Sequence, residues 1–430
     1  MIPAARVAAA IEVLSDIESR RRPAADAMKD WGLAHRFAGS GDRAAISALV
    51  YDALRRKSSS AWLIGEATPR AEVIGALRQT RGLDADAIAS LFSGEGHAPA
   101  KLTEAERVRL TSADLSGAPA YVAGDFPEWL MPHFEASFGA DAAAEGFALA
   151  ERAPVDLRAN LLKTNRDKAL AALAHLTPQP TPLSPVGLRI AIRADGRGPA
   201  LAGEPAYVKG LVEVQDEGSQ LAALLGEAKP GMQVLDLCAG AGGKTLALAA
   251  AMDNHGQIYA TDPDGRRLAP IFDRLARSGA RNVQVRAPRG ETDVLGDLVG
   301  RCDLVMIDAP CTGSGAWRRN PDAKWRIRTG ALEQRMKDQD EALERALRFV
   351  KRGGRFVYVT CSVLRPENED RVAAFLSRHD DMLPVDAATQ ARAAGLAPLA
   401  EHASAFGPGF RLSPRATRTD GFYVATLTRM

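Results

Sequence analysis

Cysteine is scarce in this chain: Cys238, Cys302, Cys311 and Cys361 are the only four in 430 residues. That is too few for a disulfide scaffold at this length, and no two form a Cys-x-x-Cys pair. Neither a secreted disulfide protein nor a zinc site is expected. A charge excess is also lacking. The formal net charge is +2, so any grip on nucleic acid must come from local basic surface rather than from the overall field. No apolar run approaches the ~20 residues of a membrane span. Met1 to Arg22 is an Ala-rich amphipathic helix pattern with Glu12, Asp16 and Glu18, without the basic-then-apolar layout of a secretory signal. The expectation is a reduced, cytoplasmic monomer with no membrane and no metal partner.

What is present is apolar content, 46% of residues, ample for two or three packed domains. Residues 1–116 read as helices only: Ala5 to Ile17, Ala24 to Phe37 and Arg43 to Arg56, with Gly39-Ser40-Gly41-Asp42 as break and N-cap, then shorter helices to Leu110. Residues 117–210 read as a small α+β module, with strands at Leu157 to Lys163 and Gly187 to Ile192 around a Pro-rich stretch. From 211 to 430 strands and helices alternate. The strands are Met232 to Leu237, Gln257 to Thr261, Asn282 to Arg286, Asp303 to Ile307 and Gly354 to Val359. Helices fit between them at Lys244 to Met252, Asp264 to Ser278 and Ala331 to Val350, and Glu367 to His379 follows. That alternation predicts an α/β fold with a Rossmann-like parallel sheet, and Gly421 to Thr428 reads as an antiparallel edge strand.

The most informative stretch is Val234-Leu-Asp-Leu-Cys-Ala-Gly-Ala-Gly-Gly-Lys-Thr245. It reads as a buried strand, a glycine turn and a helix start, at the sheet edge where open α/β folds bind ligands. A phosphate loop needs G-x-x-x-x-G-K-[ST], but its opening glycine falls on Cys238. A dinucleotide fingerprint needs G-x-G-x-x-G, but its last position is Thr245. Asp-x-x-x-Gly-x-Gly-Gly fits instead, as in methyltransferases that use S-adenosylmethionine. That ligand has no phosphate and a positive amine, which Asp236 can bond directly or through water. Asp262, nineteen positions after Gly243, suits the two ribose hydroxyls of a nucleoside. The bland alternatives are a structural turn and a helix N-cap.

Two further strand ends carry cysteines. One is Asp308-Ala-Pro-Cys-Thr-Gly-Ser-Gly315, and the other is Thr360-Cys-Ser-Val363 followed by Pro366-Glu-Asn-Glu369. A buried thiol is commonly inert. Two of them beside a nucleoside-binding turn favour chemistry. Carbon 5 of a pyrimidine is a poor nucleophile, and a thiolate added at carbon 6 makes it enamine-like and ready to take a methyl group. The carbon-5 proton and the thiol must then leave, which a second polar side chain assists. Asp308 is suited to N3 and the 4-amino group. Spacing alone does not rank Cys311 against Cys361.

These motifs resemble the Sun/NOP family of RNA 5-methylcytosine methyltransferases. The resemblance rests on Asp236 to Thr245, Asp308-Ala-Pro-Cys311, Thr360-Cys-Ser362 with Glu367-Asn-Glu369, Val214-Gln-Asp-Glu-Gly-Ser-Gln220, Arg318-Arg-Asn-Pro-Asp322 with Lys324-Trp325, and Thr419-Asp-Gly-Phe-Tyr423. It covers roughly residues 120–430 and implies a class I methyltransferase sheet with S-adenosyl-L-methionine as cofactor. It implies that Cys361 is the nucleophile and that Cys311 assists product release. It implies that Asp236, Cys238, Ala239, Gly240, Ala241, Gly242, Gly243, Lys244, Asp262 and Asp308 line the cofactor site, with Lys244 also near the base. The Thr-Cys-Ser segment favours RNA over DNA. Two departures stand out. Arg286-Ala-Pro-Arg-Gly290 occupies the stretch where the family usually has an acid near the adenine, with Glu291 and Asp293 only later. Gly240-Ala-Gly242 stands where the family often has Ala-Pro-Gly.

Trp31 to Arg56, with His35-Arg-Phe-Ala-Gly-Ser-Gly-Asp-Arg43, resembles the NusB-type helical domain of RsmB-like ribosomal RNA methyltransferases, which implies an RNA-binding N-terminal domain. Arg318, Arg319, Lys324, Arg326, Arg328, Arg335 and Lys337 cluster after the Cys311 loop with Trp317 and Trp325 interleaved, a pattern suited to single-stranded RNA. Asn160, with Arg158 and Lys163, extends that expected RNA track. The sequence-level expectation is therefore 5-methylcytidine formation in RNA, with ribosomal RNA favoured and transfer RNA or a non-catalytic assembly role as alternatives.

Overall fold

The computed structural model describes residues 1–192, 198–290 and 292–430. Glu291, noted above beside the third strand, lies outside the described residues. The chain divides into two compact units: Met1–Glu151 with Trp317–Thr329, and Arg152–Ala316 with Gly330–Met430. This division falls at Glu151 rather than near 116 and 210. Residues 117–151 are tied to the preceding helices: the buried Asp125 accepts from Ser59 N at 3.0 Å and from Ser59 Oγ at 2.7 Å.

The helical unit opens with Pro3–Arg20, Ala24–Ala34, Ser40–Arg55, Lys57–Ile64 and Pro69–Arg81. Local chemistry sets several ends. Thr68 caps Pro69–Arg81 by accepting from the Ala71 N–H, Pro69 fits the first turn, and Gly82 closes it left-handed at φ 63°. Thr103 and Glu106 form a reciprocal capping box on Glu104–Ser112. Helix Ser40–Arg55 starts one residue after Gly39, so Asp42 lies in its first turn, where it binds Arg6 rather than capping. Val13, Leu14, Val50 and Ile74 lie at the centre of the core.

The other unit has two sheets. In the smaller, β1 (Val155–Ala159), β2 (Gln179–Pro180), β3 (Gly187–Ile190) and β4 (Val212–Val214) run antiparallel in the order β2-β3-β1-β4. The larger sheet comprises β5 (Gln233–Asp236), β6 (Gln257–Ala260), β7 (Val283–Val285), β8 (Cys302–Asp308), β9 (Val350–Thr360), β10 (Met382–Pro384), β11 (Phe410–Leu412) and β12 (Phe422–Arg429). Its order is β10-β12-β9-β8-β5-β6-β7, with β11 paired to β12. From β9 to β7 all pairs are parallel. Val234, Leu235, Val305, Met306, Val357 and Tyr358 have no exposure, as expected for strands covered on both faces.

Two expectations are corrected. β12 is antiparallel but not an edge: β10 lies outside it, and Tyr423, Val424, Ala425 and Leu427 are buried on both faces. The expected helix over Asp264 to Ser278 is two pieces, Gly265–Leu268 and Ile271–Ser278, broken at Pro270. Among the described residues no helix is long and apolar enough to cross a membrane, and no cluster of His, Cys, Asp or Glu is placed to hold a metal.

Candidate active site

The glycine turn follows β5. Gly240 and Gly242 adopt φ 50° and 82°, and a Cβ on Gly242 would lie 2.5 Å from Ile271 Cγ1. Glycine is required there by both conformation and space. Asp236, at the end of β5, has no exposure; its Oδ2 accepts from Thr245 Oγ1 at 2.7 Å, and its Oδ1 has no partner among the described residues. Burial raises the Asp236 carboxyl from 3.8 to about 7, against the pull of the Thr245 hydroxyl and with help from the Asp308 charge. Asp262, after β6, is 1% exposed. Its Oδ2 accepts from Gly240 N at 3.1 Å and faces Arg267 at 3.3 Å, while its Oδ1 accepts from Asp264 N at 3.0 Å. The bland N-cap role for this acid is absent: Asp264 caps the next helix. Cys238 is buried, and loss of solvent pushes its thiol up to about 12, so it packs as an inert apolar group.

Lys244, in the first turn of helix Gly243–Ala251, donates from Nζ to Asp308 Oδ2 at 2.7 Å. Burial opposes its charge, but the Asp308 carboxylate outweighs that and raises the lysine. The register of β8 and β9 pairs Asp308 with Val359, which puts the loops after both strands side by side. Cys311 Sγ and Cys361 Sγ are 3.4 Å apart.

A clamp that sequence reasoning assigned no role holds those loops together. Glu367 accepts from Thr312 N at 2.7 Å, from Gln339 Nε2 at 3.0 Å and from the Ser362 hydroxyl. Ser314 Oγ and Ser362 Oγ are 3.0 Å apart, and Gly315 N donates to Cys361 O at 2.9 Å. A Cβ on Gly315 would lie 2.0 Å from Gly421 O, and Gly421 N donates to Gly315 O at 2.9 Å, so the Thr419-Asp-Gly-Phe-Tyr423 segment packs directly against the loop. Asp216 joins the same assembly, accepting from Asp420 N at 3.1 Å. The only advance signal for these roles was membership of short polar motifs. Arg274 had no signal at all, yet it bonds Ala241 O at 2.9 Å and Glu213 Oε2 at 3.1 Å, bracing the glycine turn.

The expected RNA residues are placed differently. Arg318 and Lys324 are buried in the helical unit, and Arg319 is half-buried and partnered. Lys324 Nζ donates to Arg55 O at 3.1 Å and Asp125 O at 2.6 Å, and burial lowers the amine to about 7. Trp325 is half-buried and donates its indole N–H to Leu54 O at 2.6 Å. Trp317 is buried and stacks on Phe134 at 5.9 Å. Asn160 is 2% exposed and donates to Gly210 O and Ser278 O, both at 2.8 Å; Arg158 is equally buried against Gln215. Lys163 donates to the carbonyls of Lys209 and Arg277. Lys324, Asn160 and Arg158 therefore do not form an exposed track. Their polar groups satisfy buried backbone and side-chain groups that would otherwise lack partners.

An open sheet with a glycine turn after β5, an acid after β6 and polar loops at the neighbouring strand ends defines a class I methyltransferase. Comparison with known proteins gives the family. A family model described as 16S rRNA methyltransferase RsmB/F matches residues 223–428, and one described as an RsmF/B-like ferredoxin-like domain matches residues 126–195. The chain is 31% identical over 71% of its length to the probable ribosomal RNA small subunit methyltransferase B of Synechocystis, and 35% identical over 70% of its length to ribosomal RNA small subunit methyltransferase B of Sodalis glossinidius. The matches span 67% and 65% of those relatives. A solved methyltransferase homolog protein from Pyrococcus horikoshii shares the fold, with TM-score 0.59 and 24% identity over 74% of this chain and 100% of that one. The chain belongs to the RsmB/F family of ribosomal RNA methyltransferases, and its cofactor is S-adenosylmethionine. The residues fit that cofactor: a buried Asp236 carboxyl oxygen without a partner among the described residues meets the need of a cationic amine, and the Asp262 carboxyl stands beside the turn, 3.9 Å from where a Cβ on Gly240 would lie.

The raised Asp236 carboxyl has a consequence for stability. From about pH 4 to about pH 7 the folded chain holds a proton that the unfolded chain has released. Stability from this group is therefore full below the unfolded value and is lost as pH rises through 7, by roughly 4 kcal/mol. Asp236→Asn should remove that loss. In urea unfolding without cofactor it should be about 2–4 kcal/mol more stable than the wild type at pH 8, with a flatter profile and weaker cofactor binding. An unchanged pH profile would show that Asp236 is already ionised when folded.

Proposed function

We propose that this protein forms 5-methylcytidine in RNA, with ribosomal RNA as substrate, through a covalent adduct between Cys361 and carbon 6 of the target cytosine. The observation that carries this reading is the pair of thiols 3.4 Å apart at the ends of adjacent strands, beside the Lys244–Asp308 pair. Lys244 lies close enough to Cys361 for the two to interact electrostatically. Cys311 holds its proton: the contact with Cys361 and burial raise its thiol well above the usual range, and the Glu367 charge adds to this. In line with the resemblance to the Sun/NOP family, Cys361 is the nucleophile and Cys311 the group that assists release.

S-adenosylmethionine supplies the methyl group. Asp236 takes its amine, Asp262 its ribose hydroxyls, and the segment Cys238–Lys244 with Asp308 lines the site. Attack by Cys361 Sγ on carbon 6 forms an S–C bond and makes carbon 5 nucleophilic. Asp308 stabilises the adduct at N3 and the 4-amino group, and Lys244 holds Asp308 in place through the 2.7 Å bond from its Nζ. The carbon-5 proton then passes to water, the ring double bond re-forms, and the Cys361 thiolate leaves and takes the proton of Cys311, which solvent restores. The target base must leave its stack to reach these groups. Residues 1–116 serve as a NusB-like RNA-binding domain.

The test is incubation with labelled S-adenosylmethionine and total RNA from cells lacking the protein, followed by sizing and nucleoside analysis. Label in small-subunit ribosomal RNA as 5-methylcytidine is the expected result. Label in another nucleoside, or none in any RNA while the cofactor binds, would overturn it.

A further inference from the structure

The helical unit contains a cleft of about 650 Å³, within the range of small-ligand pockets. Its walls include Trp129 and Trp325, both half-buried, and four cations: Arg21, Lys57, Arg326 and Arg328. Two carboxylates also line it, and both are engaged. Glu18 pairs with Lys57, whose other partner is the buried Glu72 at 2.6 Å. Asp322 pairs with Arg326 at 3.2 Å and accepts from Ala24 N at 3.3 Å. That leaves Arg21 and Arg328 exposed and without an ion-pair partner among the described residues. Trp325 is fixed by its indole bond to Leu54 O, whereas the Trp129 indole N–H has no partner among the described residues.

Rigid indole faces, a spare indole donor and two unpaired guanidinium groups are the chemistry that holds one nucleotide of a single strand. Stacking takes any base, and arginine takes the phosphates. A peptide groove would instead need a continuous apolar floor, which the ion pairs at Glu18 and Asp322 interrupt. The wall formed by Trp325 to Thr329 belongs to the segment that leaves the Cys311 loop, so the cleft and the catalytic loop are consecutive in the chain.

We infer that this cleft is a second RNA subsite that receives one unstacked nucleotide of the substrate, with its base against Trp129 and Trp325 and its phosphates on Arg21 and Arg328. The inference rests on the reading of RNA as substrate.

The experiment uses the full chain and a fluorescein-labelled oligouridylate of about twelve nucleotides, a length in the range of single-strand sites, with anisotropy read over a series of salt concentrations. The double substitution Arg21→Ser with Arg328→Ser should weaken binding about tenfold or more at low salt and reduce the salt slope by about 1.4, at about 0.7 per lost phosphate contact. Trp129→Ala should weaken binding at least about fivefold with the slope unchanged, as for one lost base stack. Far-ultraviolet circular dichroism and the unfolding midpoint of each full-chain variant serve as the check on folding of the helical unit, and if Trp129→Ala does not fold, the arginine pair decides alone. Wild-type affinity and slope in the arginine pair, or no binding of the oligomer by the wild type, overturns the subsite. Formation of 5-methylcytidine by the wild type is scored separately, so failure of the cytosine-5 reading is distinguishable from failure of the subsite.

Discussion

Cys361→Ala is expected to lower methyl transfer to RNA by at least about 10⁴-fold, the scale on which removal of a covalent nucleophile acts. Without the sulfur there is no adduct at carbon 6, and carbon 5 stays too electron-poor to accept a methyl group. The loss should be chemical rather than structural. The fold uses this residue mainly through its backbone, since Cys361 O accepts from Gly315 N at 2.9 Å and alanine keeps that bond. The side chain is only half-buried, so truncation leaves no large cavity. Cofactor binding and thermal stability should stay close to the wild type, measured by calorimetry and unfolding on the same preparation. Retained turnover would move the nucleophile elsewhere, with Cys311 the first candidate.

Cys311→Ala is expected to behave in the opposite way: attack and methylation survive, and release fails. Cys311 Sγ lies 3.4 Å from the sulfur that must be expelled, and its thiol holds its proton well above the usual range. It is therefore a neutral donor beside a leaving thiolate, next to the carbon-5 proton that must go. Loss of such a proton-transfer group commonly costs about 10²–10⁴-fold in turnover. The variant should accumulate a protein–RNA band that survives denaturing electrophoresis and disappears with ribonuclease. The double variant lacking both sulfurs should show no band. Near-normal turnover with no stable band in the single variant would remove Cys311 from the release step.

Both predictions depend on a meeting of residues fifty positions apart, and the sequence showed only part of it. The glycine turn was legible because Asp236, Gly240, Gly242 and Gly243 are neighbours in the chain and their chemistry is local: a tight turn and an acid at a strand end. Alternation of strands and helices gave the parallel sheet for the same reason. The antiparallel strand at the C-terminus was also legible, but its interior position was not, because β10 pairs beside it over only Met382–Pro384. Glu367 read as one residue of a motif. Its clamp on Thr312, Ser362 and Gln339 exists only after β8 and β9 are in register.

Basic residues show the same limit from the other side. Arg318, Lys324 and Asn160 carry the composition of an RNA track, yet burial turns them to other work. A lysine surrounded by carbonyls satisfies backbone acceptors; the same lysine in water binds phosphate. Sequence by itself determined the fold class, the cofactor turn and the two candidate thiols, because each follows from contiguous residues and from what their side chains can do. Tertiary structure alone decided that the two thiols meet at 3.4 Å, that Lys244 bonds Asp308, and which cations remain available to a ligand. Those outcomes depend on distance and on loss of solvent, and neither is set until the strands are paired and the core is closed.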